Sequence, residues 1–331
     1  MSAASARLAP SGLLAGARRR FAASSSAPVY VALGAMMVVS FVLIGPRFLG
    51  YDNVLSILQR SVALGLVAAG QTLAILVGSL DLSVAYVVSV TAVLASVVMQ
   101  GNPEMMIPAV IVVLAVGGLI GLTNGLIITK LGVNAFIATL GMALILRGLL
   151  NATFDNFAGS VPREFQVLGY DNVGPVPYSV VLLGVVVAAV WFLLRHTRFG
   201  HHVYAVGGSE ESARLSGVRS HRVIISAHVL CSVAAALAGL FIVSRLGAGA
   251  PWVGPDGGYD LESIAAVVVG GTALAGGRGG VFGTLAGVFI LATLDNVFNL
   301  LQVDPFIKDT IRGIILISAV AIYALRLRGS R

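Results

Sequence analysis

An all-α polytopic membrane protein of about ten spans is the fold class this sequence predicts, and three observations predict it. Of 331 residues, 57% are apolar and only 11% charged, with a mean hydropathy of +0.96. A soluble domain carries about 25% charged residues, so this chain cannot clothe a globular surface, and a soluble enzyme is excluded. The apolar residues gather in runs suited to a bilayer-crossing helix, which needs about 20 residues. Forty glycines suit close-packed membrane helices. High hydrophobicity excludes a disordered chain. The single cysteine, Cys231, excludes a disulfide framework and a cysteine-based metal cluster.

Ten candidate spans follow in order: 29–45, 62–79, 84–99, 107–129, 135–150, 178–194, 223–244, 261–275, 281–301 and 311–325. They lack a period of two, which argues against a transmembrane barrel. Helices satisfy their own backbone groups in lipid. With the N-terminus inside, 14 of the 21 basic residues fall on the cytoplasmic side. Both termini are therefore expected on the cytoplasmic side of the membrane. Net charge of +7 is thus a topology signal rather than a nucleic-acid footprint. The Arg18-Arg19-Arg20-Phe21 run is read as a charged anchor rather than an export signal.

Organisation follows from the polar stretches. Residues 1–28 are expected to be a disordered cytoplasmic tail, 29–325 a transmembrane domain and 326–331 a short cytoplasmic tail. Segment 151–177 is expected outside and segment 195–222 inside. Within the spans, Leu80-Asp81-Leu82-Ser83-Val84 is echoed by Tyr259-Asp260-Leu261-Glu262-Ser263. Gly121 and Gly125 are echoed by Gly283 and Gly287, and Arg147-Gly148 by Arg312-Gly313. The order is the same in both halves, so repeat one covers about 61–150 and repeat two about 223–325. An offset of five spans inverts one repeat against the other, an arrangement typical of transport proteins.

Chemistry-bearing motifs are sparse. Neither lysine, Lys130 or Lys308, follows a glycine, so there is no phosphate-binding loop, and an ATP-driven process needs an ATPase on another chain. His196, His201, His202 and His221 lie in an arginine-rich loop with few carboxylates and are read as solvated rather than metal-binding. Neither a metal nor a cofactor is expected. Asp81 and Asp260 lie near span ends and Asp295 deeper. So few intramembrane acids lean away from ion-coupled transport. In the inside loop, Ser209 can cap a helix from Glu210 to about Ser216, with Gly217 as its left-handed stop. A partner-docking helix and an ordinary amphipathic connector both fit these residues.

The segment Gly70-Gln71-Thr72-Leu73-Ala74-Ile75-Leu76-Val77-Gly78-Ser79-Leu80-Asp81-Leu82-Ser83-Val84 resembles a motif of ribose-type ABC importer permease subunits. So do Asn124-Gly125, Phe136-Ile137-Ala138-Thr139-Leu140-Gly141, Arg147-Gly148, Thr197-Arg198-Phe199-Gly200 and Ala213-Arg214-Leu215-Ser216-Gly217-Val218. The chain departs from the family at Ser79, Ala85 and Ser209, where glycine, glycine and asparagine are usual. The resemblance covers about 50–325 and implies a type II (vitamin B12 permease-like) importer fold. It also implies a second permease copy or paralogue, a cytoplasmic ABC ATPase subunit and an extracytoplasmic sugar-binding protein. Ser209, Glu210, Glu211, Ala213, Arg214, Leu215, Ser216 and Gly217 would then couple to the ATPase. A sugar in transit needs uncharged polar partners. Gln71, Thr72, Ser83, Asn124, Thr139 and Asn296 are the candidate path residues, each of which could instead join two helices. Competing readings are a branched-chain amino acid permease of the same superfamily, an ion-coupled carrier and a membrane scaffold.

Overall fold

The computed structural model describes residues 27–304 and scattered positions from 306 to 317. Tails 1–28 and 326–331 and the tenth expected span, 311–325, fall wholly or mostly outside the described residues. The chain is helical almost throughout. Helix α1 spans Ala27–Ile44, α2 Tyr51–Leu76, α3 Val84–Met99, α4 Met106–Lys130 and α5 Ala135–Thr153. After α5 come the short α6 (Arg163–Tyr170), a two-residue hairpin of β1 (Asn172–Val173) and β2 (Val176–Pro177), and α7 (Tyr178–His196). Helices α8 (Arg198–Gly208) and α9 (Glu210–Leu215) precede α10 (Ser220–Leu246), α11 (Val253–Asp256), α12 (Tyr259–Val269) and α13 (Val281–Leu300).

Six helices among the described residues are long and apolar enough to cross a bilayer, and α1 and α3 are shorter apolar helices. The sequence reading of a continuous span at 261–275 is corrected. Helix α12 stops at Val269, because Gly271 takes φ 85° and a loop runs on to Gly280. Conversely, α2 begins at Tyr51, well before the expected 62.

Burial separates centre from periphery. The apolar windows of α2 and α10 are 61% and 67% buried, against 28% for α4, α5 and α7. From Ser61 to Leu76 every residue of α2 is buried, so the helix has no solvent- or lipid-facing side there. Helix α10 packs on α4, α3 and α2, while α2 packs on α10, α13 and α12. The main core lies between these two central helices, with α3, α7 and α8 around it. Small residues make the approach possible. A Cβ on Gly121 would overlap the His228 carbonyl, and one on Gly125 would sit 2.7 Å from the Ile225 Cα. On the other side, a Cβ on Gly287 would overlap the Ala266 carbonyl of α12. Gly121, Gly125 and Gly287 are thus close helix contacts, as the sequence suggests.

The bundle has two unlike ends. At one, segment 154–177 folds over α10: Ala158 bridges Gly249, and the Tyr170 hydroxyl donates to the Arg245 carbonyl at 2.7 Å. At the other lie α8, α9 and two interruptions of the helical bundle, 77–83 and 270–280. Both interruptions begin with the same stop. Gly78 and Gly271 adopt left-handed φ, and the amides of Ser79 and Thr272 reach back to Ala74 and Val267. Each is a Schellman ending.

Gly121→Ala should cost about 1–3 kcal/mol, because the new methyl has backbone on its far side and nothing there can give. Gly141→Ala, where a Cβ meets nothing within 4 Å, is the matched control and should be neutral. Thermal unfolding of the purified protein in detergent checks the pair.

Candidate coupling element and polar core

Segment 195–222 folds into two short helices with different jobs. Thr197 caps α8, its hydroxyl accepting from Gly200 N–H at 3.2 Å and donating to the Leu193 carbonyl at 2.6 Å. Val203 and Val206 bury one face of α8. Burial pushes the Tyr204 phenol up from its ordinary value against the pull of Arg195, and its hydroxyl donates to the Gly279 carbonyl at 2.9 Å. Gly207 lies so close to the Leu76 carbonyl that a Cβ would overlap it, and Gly277 N–H donates to that same carbonyl at 2.9 Å. Helix α8 therefore bridges the end of α2 and the 270–280 loop.

Helix α9 stands away from the bundle. The Ser209 hydroxyl accepts from Ser212 N–H at 3.2 Å, and Gly217 closes the helix at φ 85° with the Val218 amide reaching back to Ala213. Glu210 and Glu211 occupy its first turn, where the helix dipole favours acids. Ala213 is buried beneath it, while Ser209, Glu210, Glu211, Arg214, Ser216 and Gly217 are exposed and Leu215 is 81% exposed. A rigid, capped helix offering a bare leucine between charges can seat in a groove.

Among the described residues, the candidate path residues are buried and engaged rather than open. Asp81 sits at the centre of four of them. With its amide turned so that oxygen faces the donor and nitrogen the acceptor, Gln71 brackets the Asp81 backbone, accepting from Asp81 N–H at 3.2 Å and donating to its carbonyl at 3.3 Å. Ser83 N–H donates to Asp81 Oδ1 at 2.9 Å, and Asn124 Nδ2 donates to the Ser83 hydroxyl at 2.9 Å. Leu82 N–H donates to Thr139 Oγ1 at 3.1 Å. Elsewhere, Thr72 meets Thr284 at 2.8 Å, and Asn296 donates to Asn53 Oδ1 at 2.9 Å. Two cavities open at the 154–177 end, and neither is lined by any of the six. One, of about 450 Å³, lies among α2, α10, α12 and α13 beside Arg60, Arg245, Glu262 and Asp295.

Composition-based reading missed His228. Its ring lies fully buried on α10, with Nδ1 3.2 Å from Asp81 Oδ2 and Nε2 2.8 Å from the Ser79 hydroxyl. Ser79, a departure from the resembled motif, is thus the third member of the group. The available signal was an ionisable residue inside the apolar run 223–244. His196, His201, His202 and His221 make no metal cluster, and among the described residues no group of three His, Cys, Asp or Glu could hold an ion.

Removing one partner of a buried pair strands the other, so His228→Leu should cost about 3–5 kcal/mol. Adding Asp81→Asn to the same chain should recover part of that loss, because an amide strands no charge. Unfolding midpoints of the two singles and the double variant provide the check; a double that loses the full sum would show the two residues to be independent.

Residues 53–320 match the family described as branched-chain amino acid transport system, permease component. The ribose import permease protein RbsC of Escherichia coli K12 is 39% identical over 285 residues, covering 84% of this chain and 88% of the relative. That of Bacillus subtilis is 37% identical over 289 residues, covering 86% and 88%. The L-arabinose transport system permease protein AraH of Escherichia coli K12 is 35% identical over 287 residues, covering 86% and 87%. No solved structure matches the chain. The family match runs from α2 through α13 and takes in both interruptions and the α8–α9 element, so the chain belongs to this family of transport permeases.

Proposed function

We propose that the chain is the membrane permease subunit of an ATP-binding cassette importer and forms the translocation path for a simple sugar, a pentose, hexose or related polyol. The observation that carries this reading is α9: a capped helix at one end of an otherwise apolar bundle, offering Leu215 and charges to a partner, and linked through α8 to both interruptions. The names of the relatives favour sugars over branched-chain amino acids. ATP hydrolysis falls to a separate cytoplasmic ATPase that seats α9, and an extracytoplasmic binding protein delivers the sugar. A second permease copy or paralogue completes the membrane unit. The protein then sits in a bacterial inner membrane with both termini, α8 and α9 cytoplasmic.

An inverted repeat within a type II importer fold is part of the proposal. Its support is reciprocal packing: α2 of the first half lies on α12 and α13, and α10 of the second half lies on α3 and α4. In this reading the Asp81 cluster closes the path at the α9 end. Gln71, Ser83, Asn124 and Thr139 are the groups a sugar meets there when the bundle opens, and Thr72 of α2 and Asn296 of α13 are the candidates at the contact between those two helices.

Leu215→Asp should not disturb the fold, since surface changes cost little. It should lower ATP-driven D-ribose uptake by about tenfold or more, as loss of a docking anchor does. Uptake into proteoliposomes holding the permease, its ATPase and its binding protein is the measurement. Normal uptake by the variant would remove α9 from coupling, and uptake without the ATPase would make the protein a carrier.

A further inference from the structure

Any site that holds a sugar must meet two unlike demands. The C–H faces of the ring are apolar and lie flat on an aromatic surface, while each hydroxyl both donates and accepts hydrogen bonds. The second cavity at the 154–177 end, of about 450 Å³, is lined by both kinds of group. This is within the size range of small-molecule sites, about 300–1,000 Å³. Trp252 is 36% exposed there, and its ring is held edge-on by Phe157 with centroids 5.2 Å apart. Around it stand Arg147 and Asn151 from α5, Asp155 from the segment that follows, and Asp256 from α11.

Arg147, Asn151, Asp155 and Asp256 make no side-chain hydrogen bond or ion pair to another described residue, although Arg147 shares the cavity with two carboxylates. The Asp81 cluster is the contrast, because nearly every polar atom there has a partner. Tyr86 lines the same cavity from the first turn of α3, three residues beyond Ser83. The cavity therefore leads from the 154–177 end toward the closed turn around Asp81.

We infer that this cavity is a sugar-contact site on the translocation path, with Trp252 under the ring and Arg147, Asn151, Asp155 and Asp256 bonding the hydroxyls of a neutral pentose or hexose; the inference rests on the importer reading above. Arg147 supplies donors, the two aspartates supply acceptors and Asn151 supplies both, which is what hydroxyls require. Two carboxylates against one guanidinium disfavour an anionic ligand, so a sugar phosphate is excluded where the neutral sugar is accepted.

The test uses the permease–ATPase complex in nanodiscs, with Trp191→Phe so that Trp252 is the permease's own fluorophore. D-ribose, L-arabinose or D-galactose should change that emission saturably, and D-ribose 5-phosphate should do so at about tenfold higher concentration or not at all. Asn151→Ala and Asp155→Asn should abolish the response. In proteoliposomes with the binding protein, Trp252→Leu should cut uptake by about tenfold while Trp252→Phe, which keeps a ring, retains most of it. If the parent complex imports sugar but Trp252→Leu and Asn151→Ala import at its rate, the inference falls and the importer reading stands. If emission answers the phosphate as well as the free sugar, the hydroxyl-recognition geometry is wrong. A parent complex that imports none of the sugars overturns the importer reading, and the site with it.

Discussion

A helix that breaks inside a bilayer must bring its own hydrogen-bond partners, and this constraint organises the molecule. Lipid offers no water to a freed amide or carbonyl, and each group left bare costs several kcal/mol. Segments 77–83 and 270–280 are two such interruptions, and most of the unusual polar residues sit where they are needed. Gln71 brackets the Asp81 backbone, Thr139 accepts from Leu82 N–H, and the Thr272 hydroxyl accepts from Gly280 N–H at 3.2 Å. Tyr204 covers the Gly279 carbonyl, and the Leu76 carbonyl takes Gly277 N–H. The Asp81–His228 pair anchors the first interruption to α10. Asn124 Oδ1 is the exception in that cluster, buried without a partner.

These partners come from other elements, so the interruptions cannot move independently. Helix α8 touches both of them, and α10 follows directly from the 195–222 segment and holds Asp81 through His228. In the importer reading, a push on α9 is delivered at three points: the end of α2, the 270–280 loop and the base of α10. Rigid packing makes that delivery possible. Where α4 glycines let α10 approach to backbone contact, the pair can tilt as one body but cannot slide without overlap.

Most spans were legible in the sequence whatever their burial, the enclosed α3 as well as the exposed α4. Helices α4, α7 and α13 have nearly the ends that hydropathy predicts, since their composition changes sharply at each boundary. The first turns of α2 were lost because Asp52, Asn53, Gln59 and Arg60 read as loop, although a helix can present Gln59 and Arg60 to a polar cavity and Asn53 to Asn296. The end of α12 was overrun because apolar residues continue past Gly270-Gly271, and hydropathy does not register a change in φ. Helix α9 was legible to within one residue, because capping is local chemistry written in Ser209 and Gly217. Gln71, Ser83, Asn124 and Thr139 stood out as polar positions in apolar helices. That they converge on one turn was not legible, because the contact joins segments far apart in the chain. His228 depends on the same long-range contact.

The two ends of the bundle also differ in how their polar groups are satisfied, and that difference carries information about state. At the α9 end, the side chains around Asp81 are bonded to one another and excluded from solvent, which is how a polar seal is made in a low-dielectric interior. At the 154–177 end, Arg147, Asn151, Asp155 and Asp256 face a cavity without partners among the described residues. Groups of that kind are stable where water or a ligand reaches them. In the importer reading, a protein built of two similar halves has no reason in its symmetry to treat its ends so differently. The asymmetry then belongs to the conformation, closed at the α9 end and accessible at the other, as one of the two access states that alternating transport requires.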